Sequence, residues 1–246
     1  MIEKQVPRLY TIARNMIDFF YPRYEIIGME NIPDEPCLYV ANHAQIHGPL
    51  VSELKFHVPH YSWCIAEMMD VKLTPDYAFE DFWSKKPAKT HWFYKLLARI
   101  IAPPFSFLAK HSHSIAVYHD HRVRGTFRET VDVLQSGGSV LIFPECYDEY
   151  NSIVYQFQRG FVDAARIYHL KTGKEIDFVP VYIAPALRKM VIGKPVRYCA
   201  ENDAPTERER ICNHLMEDIT ALAKALPRHK VVPYPNIKKR NYPTNI

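Results

Sequence analysis

Short apolar runs alternate along this chain with longer stretches of helical period, and that alternation most restricts the folds open to it. Residues 24–29, 37–40, 61–66, 115–118, 140–143 and 178–183 read as strands. Residues 49–56, 92–102, 123–134, 160–170 and 206–226 read as helices, the second stopped by Pro103-Pro104 and the third by Ser136-Gly137-Gly138. Such a succession predicts an α/β fold: a single domain with a largely parallel mixed sheet flanked by helices. Residues 70–90, with Pro75, Pro87 and mixed charge, read as an irregular insertion or lid.

At 246 residues the chain is long enough to bury a full core in one domain. Residues 1–30 form an N-terminal helical element, 31–226 the α/β domain, and 227–246 a basic tail expected to be solvated. Within the first piece, residues 4–21 carry Leu9, Ile12, Ala13, Met16, Ile17 and Phe20 at helical spacing, an amphipathic helix able to lie in a membrane interface. Residues 92–108, rich in Trp, Phe, Leu and Ile, are a second candidate for that contact. The net charge of +4 mildly favours anionic partners, and no basic stripe with interleaved aromatics suggests nucleic acid. Five scattered cysteines without a C-x-x-C fit a reduced compartment. No signal peptide and no long apolar run are evident, so the expected location is cytoplasmic, with peripheral contact at the inner face of a membrane.

The chemistry concentrates just past the 37–40 run, in Ala41-Asn42-His43-Ala44-Gln45-Ile46-His47-Gly48. A histidine beyond a strand end sits where open α/β sheets place their ligand crevices, so His43 is a candidate general base. Three more blocks follow in order: residues 115–118 with His119-Asp120-His121-Arg122, then Ser139-Val140-Leu141-Ile142-Phe143-Pro144-Glu145 with Gln158-Arg159-Gly160-Phe161, then Phe178-Val179-Pro180-Val181-Tyr182 with Ile192-Gly193-Lys194-Pro195.

Together, over residues 35–225, the four blocks resemble the glycerolipid acyltransferase superfamily of lysophosphatidic acid and glycerol-3-phosphate acyltransferases. Its signature is Asn-His, four residues, then Asp. The resemblance implies acyl transfer from acyl-CoA or acyl-carrier protein to a hydroxyl of a lipid-like acceptor. It implies His43 as base, no acyl-enzyme, no cofactor, no metal, and attachment to one membrane face. It assigns Glu145 and Arg122 to the acceptor site, flanked by Asn42, His47, Phe143, Pro144 and Cys146.

Two departures stand out. Gly48 occupies the position of the motif Asp, which orients the histidine and stabilises its imidazolium; amidating the analogous Asp of a serine protease lowers the rate by roughly 10⁴. The orienting acceptor would then be Asp120, Asp148, Glu145 or a backbone carbonyl, or His47 would serve as base in a shifted site. Cys146-Tyr147-Asp148 stands where Gly-Thr-Arg is usual, which removes a bidentate phosphate ligand and favours a less anionic acceptor. Arg159 could lend the site positive charge. The alternative functions are a lipid or acyl-CoA binder without turnover, a hydrolase using Cys146, or a metal hydrolase using His43/His47, His111/His113 or His119/His121.

Overall fold

The computed structural model describes residues 6–246. In chain order its elements are α1 (Arg8–Phe20), β1 (Glu25–Ile27), β2 (Cys37–Ala41), α2 (His47–Lys55), β3 (His60–Ile65), α3 (Ala66–Met69), α4 (Thr74–Trp83), α5 (His91–His111) and β4 (Ser114–Val117). They continue with α6 (Val123–Gln135), β5 (Ser139–Ile142), β6 (Glu145–Tyr150), β7 (Tyr155–Phe157), α7 (Asp163–Thr172), β8 (Asp177–Ala184), β9 (Lys189–Ile192), β10 (Val196–Arg197) and α8 (Ala204–Ala225). Contacts divide them into two compact units. The first comprises Pro22–Tyr61 and Phe127–Ile246; the second comprises Ser62–Thr126 and the described residues before Pro22.

In the first unit the strand order is β1-β9-β8-β2-β5. β8, β2 and β5 run parallel, β9 is antiparallel to β8, and β10 pairs with the start of β8. All five residues of β2 are buried, as a strand flanked on both sides and covered on both faces requires. Removing Leu38, Tyr39 and Val40 from water stabilises the fold by roughly 1.5–3 kcal/mol each. α8 lays Ile211, Leu215 and Ile219 against the core and is capped by Asp203, whose side chain accepts from the Thr206 backbone N–H. The α/β class, the mainly parallel sheet and the flanking helices agree with the sequence reading.

The second unit pairs β3 and β4 in parallel from Ser62↔Ser114 to Ile65↔Val117 and packs α5 against α1, α3 and α4. Here two expectations are corrected. α5 continues through Pro103-Pro104 to His111, because Ala98, Ala102 and Ser106 bury one continuous small-residue face that outweighs the missing backbone bonds. Part of the expected insertion is the helix α4. It begins with Pro75 in its first turn, and the buried Thr74 hydroxyl is bonded to the carbonyls of Glu67 and Asp70. Residues 4 and 5 of the expected N-terminal helix lie outside the described residues. α1 leaves Leu9, Ile12, Met16, Phe19 and Phe20 exposed, and α5 leaves Trp92, Phe93, Leu96 and Ile100 exposed. No helix among the described residues is long and apolar enough to cross a membrane.

The tail corrects a third expectation. His229, Val231, Val232 and Asn245 are buried, while Lys238, Lys239 and Arg240 remain exposed. The Asn245 side chain donates to the carbonyls of Ala223 and Leu226 at the end of α8 and accepts from the His229 N–H. Lys230 pairs with Thr244, closing the intervening segment into a loop. His229 fixes the loop to β8: its Nδ1–H donates to the Pro227 carbonyl and its Nε2 accepts from the Tyr182 hydroxyl, at 2.8 Å each. Charge dominated the sequence reading of this tail, but its apolar and asparagine positions decide where it packs.

Candidate active site

β2, β5 and β8 are parallel and in register, Val40 opposite both Ile142 and Pro180, so their carboxyl ends open at one edge. Asn42 follows β2 directly. Its side chain donates to the Ile183 carbonyl at 3.0 Å and accepts the Ile183 N–H at 2.7 Å, adding a side-chain rung to the β2–β8 ladder. That buried pair fixes the direction in which the chain leaves the sheet. Glu145, just beyond β5, reaches across: one carboxylate oxygen accepts the His43 N–H at 2.7 Å and the other accepts the Tyr155 N–H at 2.8 Å. Glu145 thus ties the His43 loop to the β6–β7 hairpin, which the sequence reading did not contain.

The chain then turns sharply. Ala44 and Gln45 are both left-handed, with φ of 46° and 56°, a conformation costing an L-residue of order 1 kcal/mol or more. The turn aims the Gln45 carbonyl back at the ring of His43, whose Nδ1 lies 2.6 Å away. A carbonyl only accepts, so Nδ1 carries the proton and Nε2 keeps its lone pair. The far nitrogen of His43 is therefore held by a backbone carbonyl, one of the four acceptors the sequence left open.

Gly48 has a geometric reason. Its N–H donates to the His43 carbonyl at 3.0 Å. A Cβ there would overlap that carbonyl oxygen and lie 2.9 Å from its carbon and 3.0 Å from Cε1 of Phe143. In this loop the space for a motif Asp side chain is filled by backbone.

The His43 ring makes edge-type contacts with Phe143 and with Tyr234, each with centroids 5.3 Å away. Tyr234 also packs on Tyr147 at 4.7 Å, and Tyr155 stacks on Tyr150 at 4.4 Å. Burial pushes the His43 imidazole down to about 4, the carbonyl of Gln45 opposing the shift. Burial pushes Glu145 up to about 7, its two backbone N–H bonds opposing. His47, at the start of α2, is lowered by burial and by the nearby Lys239.

The remaining residues singled out in the sequence have other engagements. Arg122 belongs to the second unit, is exposed, grips Asp120 through Nε and Nη2 at 2.8–3.0 Å, and lies over the Tyr118 ring. Arg159 faces Glu209 at 3.5 Å, and Asp148 is exposed. The Cys146 thiol donates to the Gln156 carbonyl, and burial raises its pKa, the reverse of what a nucleophilic thiolate needs. Among the described residues no three His, Cys, Asp or Glu side chains gather as metal ligands. The sequence reading missed Gln45, Tyr155, Tyr234 and Tyr242. Nothing local marks Ala44-Gln45 as left-handed, and the partners that hold Gln45 lie at the far end of the chain.

A scan of protein-family models returns no match, and neither does a search of curated proteins. Among solved structures the chain is similar to the 1-acyl-sn-glycerophosphate (LPA) acyltransferase PlsC from Thermotoga maritima, with 17% identity and a TM-score of 0.45 over 88% of this chain and 83% of that one. Likeness of that degree assigns neither substrate nor residue roles here.

Proposed function

We propose that this protein transfers an acyl group from an acyl thioester, acyl-CoA or acyl-carrier protein, to a hydroxyl of a lipid-like acceptor, with Nε2 of His43 as general base. The observation that carries the reading is the bond from His43 Nδ1 to the Gln45 carbonyl, which leaves a lone pair on Nε2 of a ring at the carboxyl edge of a parallel sheet. Nε2 takes the acceptor's hydroxyl proton as the oxygen attacks the thioester carbonyl carbon. The C–O bond forms, the C–S bond breaks, and the imidazolium returns the proton to the departing thiolate. No acyl-enzyme is required.

A carbonyl behind the histidine supplies the right tautomer but less charge stabilisation than a carboxylate would. The base is therefore oriented correctly and neutral at cellular pH, at the cost of a weaker pull on the proton. Glu145 acts in this reading by holding the His43 backbone. Exposed Asp148 and Glu149 make the acceptor side unfavourable for a bare phosphate, so a less anionic acceptor is preferred. The exposed apolar residues of α1 and α5 would rest on a membrane surface, at its cytoplasmic face.

A binder of acyl thioesters without turnover is the competing reading, favoured by the desolvation of the half-buried His43 beside Tyr234. Release of free thiol from acyl-CoA across a panel of hydroxyl acceptors decides between them. Turnover lost at least a hundredfold in His43→Ala, with binding retained, supports acyl transfer. Saturable binding without thiol release, unchanged in His43→Ala, overturns it.

A further inference from the structure

The Gln45 carbonyl meets His43 from a left-handed residue, and the tail loop bonds both ends of that residue's side-chain amide. The Gln45 amide Nε2 donates to the Pro235 carbonyl at 3.0 Å, and its Oε1 accepts from the Tyr242 hydroxyl at 3.1 Å. Both ends of the side-chain amide are thus fixed by residues about 190 positions away. The loop bearing Pro235 and Tyr242 is itself rigidly rooted. Its base is closed by the Lys230–Thr244 pairing and the Val231 N–H to Pro243 carbonyl bond. Below that base, the Asn245 amide bridges to the end of α8 and His229 bridges to Tyr182 of β8. Tyr234, one residue before Pro235, packs on the ring that Gln45 orients.

Resting on the reading of His43 as proton acceptor, we propose that Gln45 is a positioning residue and that the tail loop between Lys230 and Thr244 is part of the active site. The loop grips the Gln45 side chain, the grip holds the left-handed turn, and the turn delivers the carbonyl that selects the Nδ1–H tautomer of His43. The device takes over the orienting half of the motif Asp's task with no added charge.

Conformation separates this role from mere packing. Glycine and asparagine occupy the left-handed region at little penalty, whereas alanine does not. If the grip serves the turn, Gln45→Ala lowers kcat by roughly tenfold, the population cost of a left-handed L-residue, with KM unchanged. Gln45→Gly and Gln45→Asn, which lose the same contacts but occupy the left-handed region at little penalty, lose less than Gln45→Ala. Tyr242→Phe, which removes one bond and no volume, falls between them.

The second readout needs no substrate. In ¹⁵N NMR of the His43 ring, the parent protein shows the Nδ1–H tautomer; Gln45→Ala shows a mixture with Nε2–H, and Gln45→Gly less of it. Equal losses in Gln45→Ala, Gln45→Gly and Gln45→Asn overturn the proposal, as does an Nε2–H tautomer in the parent. The predicted tautomer pattern without any thioester turnover supports the positioning role and overturns the acyl-transfer reading instead.

Discussion

Replacing Gly48 by Asp installs the residue of the acyltransferase signature that the sequence resembles, and the geometry predicts that it harms the protein. The Cβ would overlap the His43 carbonyl oxygen, a backbone atom that cannot swing aside. Overpacking of this kind costs about 1–3 kcal/mol, and backbone makes the upper half apply. Displacing the carbonyl also strains the Gly48 N–H bond it accepts, worth about 0.5–1.5 kcal/mol. Gaining a side chain in the first turn of α2 offsets up to about 1 kcal/mol. The net loss is about 1.5–4.5 kcal/mol, which for a chain of this size lowers Tm by roughly 3–18 °C. The added carboxylate cannot take the Nδ1 proton of His43, which is already given to the Gln45 carbonyl. Thermal unfolding and thioester turnover of Gly48→Asp and Gly48→Ala check the prediction. Both variants lose stability and kcat to a similar degree, because the shared Cβ causes the damage. A Gly48→Asp protein as stable as the parent and faster than it would refute the account of this loop.

The desolvation of half-buried His43 and buried Glu145 predicts an unusual pH response. The His43 pKa falls from 6.5 to about 4 on folding, so its contribution to stability is present above 6.5 and lost as the pH falls towards 4. The Glu145 pKa rises from 4.5 to about 7, so its contribution is present below 4.5 and lost as the pH rises through 7. Between pH 4.5 and 6.5 the two oppose each other at about 2 kcal/mol each. In urea titrations, His43→Gln therefore gains a decline in stability with rising pH relative to the parent, and Glu145→Gln gains a decline with falling pH; parallel curves for all three proteins would show that neither shift exists. For the membrane, replacing both Phe19 and Phe20 by Ser removes two of the most exposed rings of α1, worth roughly 1.5–3 kcal/mol each on insertion. Flotation with vesicles containing anionic lipid then falls by about a hundredfold or more, and unchanged flotation refutes the assignment of that face.

Much of the scaffold could be read from the chain because hydrophobic patterning is a local signal. Runs such as 37–40 and 140–143 announce buried strands wherever they end up, and a histidine three residues past such a run is placed at the carboxyl edge by the strand itself. The same locality explains the misjudged pieces. Pro103-Pro104 reads as a stop until the buried face of α5 is known, and the basic tail reads as solvated until Asn245 is seen bonded to the end of α8. The orientation of His43 belongs wholly to tertiary structure. It depends on two consecutive left-handed residues, neither of them glycine, and on hydrogen bonds that Gln45 gives to the Pro235 carbonyl and accepts from the Tyr242 hydroxyl, both at the far end of the chain. No periodicity encodes bonds of that kind. They exist only where packing brings the tail loop to the carboxyl edge of β2, and there a backbone carbonyl holds the nitrogen that the sequence left without a partner.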